Sequence, residues 1–358
     1  MKVNFVDPVG GMGHAKYNIG FITNYIEANN IKCQTDFIFQ SNEEMNSAIS
    51  DSYGEFEYRT LSKTKKGFNG RVQSMLNHIK PFFYAKIRGE KVVFLSFDTL
   101  SLFILFFLGF RPNLAVCHNN LNKIHGSKLL EYIYIIATRY VHVVYLTRSG
   151  IDYASQLGLV NNSYIPLPFR GFEYTVDEVK RCEKYIDFKR NHNIPQSSRI
   201  VFWAASGNSD NEFLQEILID VNFNKQLDVN NCYFVYKGEE LNTISCRTIS
   251  LTGYVEDELW EGLMSHSQLS IVRYSTDFIH RASSICHSHV VNNKLAYISP
   301  LSLAKDYDFY FDGNITFDST ESFYNLLESF FDGDTPNLKV DLLEDSIKGE
   351  VKFYRELF

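Results

Sequence analysis

The stretch Leu251-Thr252-Gly253-Tyr254-Val255-Glu256-Asp257-Glu258-Leu259-Trp260-Glu261-Gly262-Leu263-Met264 decides the fold class, together with Leu269-Ser270-Ile271-Val272-Arg273 and the polar Tyr274-Ser275-Thr276-Asp277 that follow it. Its opening reads as a strand end and a glycine turn. Leu259, Trp260, Leu263 and Met264 recur at the spacing of a one-sided helix, and Glu256, Asp257 and Glu258 occupy its first turn, where the helix dipole favours carboxylates. Ile271-Val272 then predicts a buried strand. Strand, turn, short helix, strand and polar loop compose a βαβ unit, whose ligands bind at the carboxyl ends of the strands.

Working outward, the same logic recurs at the start of the chain. Lys2 to Val6 predicts a strand, Asp7-Pro8-Val9-Gly10-Gly11-Met12-Gly13-His14 a glycine-rich turn, and Ile19, Ile22 and Ile26 a helix from Ala15 to Asn29-Asn30. Glycines at 10, 11 and 13 let a ligand or another segment approach the backbone, and N–H groups at the helix start can face an anion. The spacing is neither GxGxxG nor a P-loop. Cys33 to Gln40 predicts a second strand, and the polar residues from Ser41 to Gly54 a variable connection. Val92 to Phe110 approaches transmembrane length, but Ser96, Asp98, Thr99 and Ser101 interrupt it, so it reads as a strand and a buried helix ended by Arg111-Pro112. Asn113 to Cys117 is a strand that delivers His118-Asn119-Asn120 to its carboxyl end, where a histidine can meet a bound sugar as acid, base or hydrogen-bond donor. Val141 to Leu146 is a further strand, leading into a helix through Tyr153 and Leu157.

A second lobe begins at Ile200-Val201-Phe202-Trp203 with the turn Ser206-Gly207-Asn208-Ser209-Asp210, and Cys232 to Tyr236 ends in the turn Lys237-Gly238-Glu239. Between the lobes, the charged residues 169–199 read as a linker. Tyr307 to Phe317 alternates as short strands do, Ser319 to Phe331 has helical spacing, and Val340 to Phe358 has helical capacity. The expected organisation is therefore 1–168, a linker 169–199, 200–339, and a tail 340–358.

Composition sets outer bounds. At 358 residues the chain exceeds most single cores, and its 45% hydrophobic and 15% aromatic content exclude a disordered chain. Six scattered cysteines without a CxxC pair suit reduced thiols in a cytoplasmic compartment, and Asp7 comes too early for a secretory leader. A net charge of −7 argues against nucleic acid as a partner, but the average hides an asymmetry. Arg59 to Lys91 carries nine Lys/Arg and one acid, whereas Leu301 to Phe358 carries thirteen acids and five Lys/Arg. Phe68, Phe82, Phe83 and Tyr84 interleave with the basic residues. That mixture suits peripheral contact with an anionic membrane or a lipid-diphosphate acceptor; a solvated face with a few buried rings is the alternative reading. Cys286-His287-Ser288-His289 lacks a second ligand pair at usable spacing, so no metal site is expected there, and an acidic surface accounts for Asp306-Tyr307-Asp308.

The order Thr-Gly-Tyr-Val, acidic residues, Leu-Trp-x-x-Leu-Met and Ile-Val-x-x-Ser resembles the donor half of GT-B glycosyltransferases, in particular the retaining family 4-type enzymes of bacterial surface polysaccharide synthesis, including O-antigen and capsule. The resemblance implies an α/β fold of two Rossmann-like domains facing each other across a cleft, with the tail packing back on the first lobe. It implies a metal-independent transferase moving a sugar from a nucleotide diphosphate donor, with no cofactor, to a hydroxyl of a glycan acceptor, a lipid-linked one at the inner membrane face. It places Gly10, Gly11 and Gly13 around the diphosphate, Lys237 and Gly253 beside the nucleotide, His118 at the sugar or acceptor, and Asp277 near the donor sugar. The family's basic residue after the first strand of the second lobe has no counterpart, since 208–220 contains no Lys or Arg; Arg273, Arg281, Lys294 and His280 are the candidate replacements on phosphate. The family's second glutamate would fall on Ile285, so either the register slips or other groups hold the ribose. Two further readings stay open: a nucleotide-sugar epimerase on the same two lobes, and a non-catalytic relative that binds a glycan or a partner.

Overall fold

The computed structural model describes residues 2–31, 37–53, 56–63, 68–205 and 209–357. The chain divides into two compact units, one of Met1–Gly171, His280–Ala282 and Ser346–Phe358, the other of Phe172–Ile279 and Ser283–Asp345.

In the first unit, strands β1 (Val3–Val6), β2 (Phe37–Ser41), β3 (Glu57–Thr60), β4 (Lys91–Phe94), β5 (Leu114–Cys117), β6 (His142–Tyr145) and β7 (Asn162–Tyr164) form one sheet in the order β3-β2-β1-β4-β5-β6-β7. Every pairing is parallel. Helices α1 (Ala15–Ala28), α2 (Glu43–Tyr53), α3 (Phe68–Arg88), α4 (Thr99–Phe107), α5 (Asn120–Ile124), α6 (Lys128–Thr138) and α7 (Arg148–Gln156) lie between the strands in sequence. Central strands such as β1 and β5 are buried throughout, which is why they read as continuous apolar runs. The polar exception, Asn4, is satisfied: it donates to Glu90 at 2.8 Å and accepts from Gln40 on β2 at 2.9 Å.

The second unit opens with α8 (Glu178–Asn191) and holds the parallel sheet β10-β9-β8-β11-β12, made of β8 (Arg199–Trp203), β9 (Cys232–Lys237), β10 (Thr248–Leu251), β11 (Leu269–Arg273) and β12 (Ala296–Ser299). Its other helices are α9 (Asn211–Ile219), α10 (Val221–Val229), α11 (Asp257–His266), α12 (Ser284–Val291), α13 (Leu301–Ala304) and α14 (Thr320–Asp332). The deciding stretch thus holds the end of β10, then α11 and β11. Residues 172–199, expected as part of a linker, are pinned within this unit. Buried Glu261 on α11 accepts from the Thr175 and Val176 N–H groups and the Thr175 hydroxyl, Asn292 bonds Phe172 and Tyr174, and α8 packs along α11.

Two sequence expectations change, and one stretch read only for its charge gains an element. The polar connection after Ser41 contains α2, anchored through buried Met45 and Ile49. The basic stretch after Arg59 contains α3, with Pro81 inside it. Residues 307–317 hold a 3-10 turn, Asp308–Tyr310, and isolated bridges at Phe311 and Thr316 in place of strands. Of the expected second strand, Cys33 and its neighbours 32–36 lie outside the described residues, as do Ser206-Gly207-Asn208 of the turn after β8.

The last helix, α15 (Val340–Leu357), contributes its second half to the first unit. There buried Tyr354 meets Phe21 edge-on at 4.8 Å, and Arg355 donates to the Ala28 carbonyl. Close packing around α1 leaves two contrasting glycines. A Cβ at Gly20 would stand 2.0 Å from the Arg170 carbonyl oxygen and 2.6 Å from Pro168 Cγ, whereas one at Gly349 meets nothing within 4 Å. Gly20→Ala should therefore destabilise by roughly 3 kcal/mol, while Gly349→Ala, inside α15, should stabilise by up to about 1 kcal/mol. Urea denaturation of the two variants checks the pair.

Candidate functional site

The first unit concentrates polar groups at the carboxyl ends of β1, β4 and β5, the edge where parallel sheets bind ligands. Asp7, immediately after β1, is fully buried and held by four donors. The Gly10 N–H reaches it at 3.0 Å, Asn18 Nδ2 at 2.9 Å, His14 Nδ1 at 3.3 Å, and the Ser96 hydroxyl, after β4, makes a short bond. Burial pushes the Asp7 carboxyl upward, but His14, Ser96 and the Gly10 amide outweigh it and hold it well below the usual carboxylate range. It is therefore an anion in the core. Gly10 sits at φ +61°, and a Cβ there would meet the Asn42 side chain at 2.6 Å, so glycine is required for this turn to close on Asp7.

His14 ends the turn and caps α1. Its ring stacks on His118 with centroids 4.5 Å apart and planes 15° from parallel, and Tyr17 meets His118 edge-on. His118 Nε2–H donates to the Leu95 carbonyl at 2.7 Å, which leaves Nδ1 as the lone-pair nitrogen. Burial, reinforced by neighbouring His14, pushes the His118 ring down to about 3, so it is neutral at physiological pH. Because Asp7 takes the His14 Nδ1–H, the lone pair of neutral His14 lies on Nε2.

Both imidazoles line a cavity of about 810 Å³. Its lining includes the polar or charged His14, Arg71, Ser74, Ser96, Asp98, Ser101, His118, Asn119, Asn120 and Lys123 and the apolar Val72, Met75, Phe97, Leu100, Ile104 and Leu130. Asp98 is occupied as the cap of α4, accepting from the Ser101 amide and hydroxyl.

The expected residues fall in separate groups. Gly10, Gly11, Gly13 and His118 belong to this constellation. Gly11 and Gly13 are open, since an added Cβ on either meets nothing within 4 Å. In the second unit, Lys237, Gly253 and Arg273 stand at or just beyond the carboxyl ends of β9, β10 and β11. Gly253 has φ +71°, and Lys237 Nζ lies 5.3 Å over the Trp260 ring. The Arg273 guanidinium is engaged: it pairs with Asp210 at 2.9 Å, donates to Ser299 at 3.1 Å and stacks 3.7 Å over Phe213. Asp277 is exposed in the turn after β11. Arg281 lies in the short segment grouped with the first unit, where the adjacent His280 stacks on Tyr153 at 4.7 Å and its N–H donates to Asn122. Lys294 must be corrected. It precedes β12 and so stands at the amino ends of the strands, the edge opposite Lys237, Gly253 and Arg273. Cys286 and His289 are buried in α12; burial pushes the thiol up to about 12 and the imidazole down to about 4, and His289 Nδ1–H donates to the Ile285 carbonyl. Among the described residues, no three His, Cys, Asp or Glu side chains are grouped to hold a metal ion.

Sequence reading missed Asp7, His14 and Ser96. The signal was present in Asp7 and His14 at the two ends of one glycine turn, but only the turn's closure pairs them.

No protein-family model and no curated protein matches the chain. Solved structures do. The Anabaena protein Alr3699/HepE in complex with UDP and glucose is 12% identical with a TM-score of 0.59, over 99% of this chain and 94% of that one. WaaG, a glycosyltransferase involved in lipopolysaccharide biosynthesis, is 11% identical with a TM-score of 0.56, over 99% and 95%. The UDP-N-acetylglucosamine 2-epimerase from Rickettsia bellii is 11% identical with a TM-score of 0.59, over 100% and 95%. At these identities the likeness establishes the fold: two parallel-sheet α/β units of the GT-B class.

Because the folded Asp7 carboxyl lies below its unfolded value, its stabilisation is complete above about pH 4 and is lost as pH falls further. Asp7→Asn should cost about 2 kcal/mol at pH 7, and the gap from wild type should narrow steadily as urea titrations move from about pH 4 to about pH 2. A gap independent of pH would contradict an ionised Asp7.

Proposed function

We propose that the protein is a glycosyltransferase that moves a sugar from a nucleotide diphosphate donor to a hydroxyl of a lipid-linked glycan. The observation that carries this reading is the cavity of the first unit, whose lining combines hydrogen-bonding groups for a sugar with a set of apolar side chains. Such a lining suits an acceptor with a polyhydroxyl head and a hydrocarbon tail, with Arg71 and Lys123 available to an intervening phosphate. The GT-B fold, and the UDP and glucose held by HepE, support a nucleotide-sugar donor. In this proposal Gly11 and Gly13 leave room for the donor diphosphate beside Gly10, Lys237 and Gly253 border the nucleotide, Arg281 adds a cation, and Asp277 faces the donor sugar. His118 holds a hydroxyl through Nδ1. Arg273, already paired with Asp210, orders the loop after β11.

Helix α3 extends the proposal to a membrane. Val72, Leu76, Phe83 and Ile87 are exposed, Ile87 by 82%, and their spacing puts them on one stripe of the helix. Lys80 and Lys86 flank the stripe, so the helix has the apolar and cationic faces of a segment lying on an anionic bilayer. Among the described residues, no helix is long and apolar enough to cross a membrane.

The epimerase likeness supports a second reading, in which the donor alone is substrate. An apolar acceptor cavity has no use in that reaction. Three measurements bear on these points. A nucleotide sugar at ~100 times its dissociation constant should stabilise the fold by roughly 2.7 kcal/mol, and a panel of UDP- and GDP-sugars that leaves the melting temperature unchanged rejects the donor. Incubation with donor alone should yield no epimerised nucleotide sugar. Co-sedimentation with phosphatidylglycerol vesicles should be strong for wild type, weak for Phe83→Glu/Ile87→Glu, and reduced at high salt.

A further inference from the structure

We propose that Arg111 and Arg139, both stacked on the Tyr140 ring at the amino edge of the first sheet, take the phosphate of an anionic phospholipid whose acyl part enters the adjacent cavity. The site is built from the ends of three elements: Phe106 and Phe107 close α4, Arg111 stands before β5, and Arg139 and Tyr140 join α6 to β6. Arg111 lies 4.4 Å over the Tyr140 ring and 5.6 Å over Phe106, whose plane is 2° from that of Tyr140, and Arg139 lies 5.6 Å over Tyr140. Guanidiniums held on ring faces are oriented before any ligand arrives. Arg59, Arg88, Arg170 and Arg247 are answered by carboxylates, whereas among the described residues Arg111 and Arg139 have no ion-pair partner. Two cations sharing one ring repel each other, and a phosphate ester, which accepts paired N–H groups from arginine, relieves that repulsion.

The cavity beside them, of about 510 Å³, selects the rest of the ligand. Arg139, Tyr140 and Tyr132 line it together with Ile135, Ile136 and Val160. Its other polar side chains are already engaged: Thr138 donates to the Tyr134 carbonyl, Asn162 to the Leu159 carbonyl, and Asn161 meets His142 at 3.0 Å. A sugar or a nucleobase would find few groups to bond there, whereas a hydrocarbon chain gains by covering the apolar walls. The surroundings agree, since Val160 is 93% exposed and Phe107 67%. Phe83 packs on Phe110 at 5.9 Å and Lys86 lies 5.8 Å over the same ring, one residue before Arg111, so the site prolongs the exposed stripe of α3 to the amino edge of the sheet. It shares a bilayer with that stripe but none of its residues, so the two readings fail separately. Standing at the strand ends opposite Asp7 and His118, it also needs no part of the transferase reading.

The test uses the full chain and dihexanoylphosphatidylglycerol below its micelle concentration, followed by titration calorimetry. Wild type should bind a single lipid, more tightly than inorganic phosphate, glycerol 3-phosphate or zwitterionic dihexanoylphosphatidylcholine. Arg111→Gln/Arg139→Gln, which removes two exposed charges and should leave the urea midpoint unchanged, should weaken that binding by ~10-fold or more. Phe83→Glu/Ile87→Glu should keep it. Inorganic phosphate bound as tightly as the lipid would reveal an anion site alone and overturn the lipid assignment. Wild type that binds no lipid, or binds phosphatidylcholine equally well, overturns the proposal, as does a double arginine variant that matches wild type. Loss of the soluble lipid in Phe83→Glu/Ile87→Glu would move the site to α3 and overturn it too.

Discussion

A buried carboxylate with four donors governs the first unit. Asp7 sits where β1 ends, and its oxygens draw in the glycine turn, the Asn18 side chain from α1, His14 and the Ser96 hydroxyl after β4. Isolated in the core, such a charge would cost several kcal/mol; surrounded by donors, it becomes the post to which three segments are tied. The tie also sets chemistry, because the group that orders the loop is the one that chooses the tautomer of His14. Stability and reactivity therefore share one set of hydrogen bonds, and a change that loosens the turn also releases the ring.

Much of the architecture was legible because parallel strands buried on both faces read as short apolar runs, and the loops after them collect polar residues. β4 with α4, β5 with His118, and β11 with the Asp277 turn all followed from that contrast. Helices α2 and α3 did not, because α2 shows the core little beyond Met45 and Ile49, and α3 carries Pro81 and an outward face as apolar as its inward one. The candidate site was half legible. His118 is named by its place after a strand, whereas the Asp7–His14 pair needs the positive φ of Gly10 and the bulk of Asn42 behind it, and Lys294 could be assigned only once the strand after it was seen. The partner of Arg273 was equally hidden: its charge suggested phosphate, and the structure pairs it with Asp210, distant in sequence.

The two units divide their polar groups differently. The first leaves imidazoles and amides facing a cavity, and the second spends its prominent buried groups internally, Glu261 on the 175–176 backbone and Arg273 on Asp210 and Ser299. Charged groups that already have good partners stiffen a scaffold. Those that line a cavity with a nitrogen unused are the ones a ligand can recruit.

One remote contact carries a cost for the whole arrangement. Tyr354, in the second half of α15, is completely enclosed and props Phe21 on α1, the helix that His14 precedes as its N-cap residue. Replacing Tyr354 by a small residue would leave every histidine and aspartate in place and still open a void under that helix. Damage of this kind would silence the protein from a distance, through geometry and without touching a reactive atom.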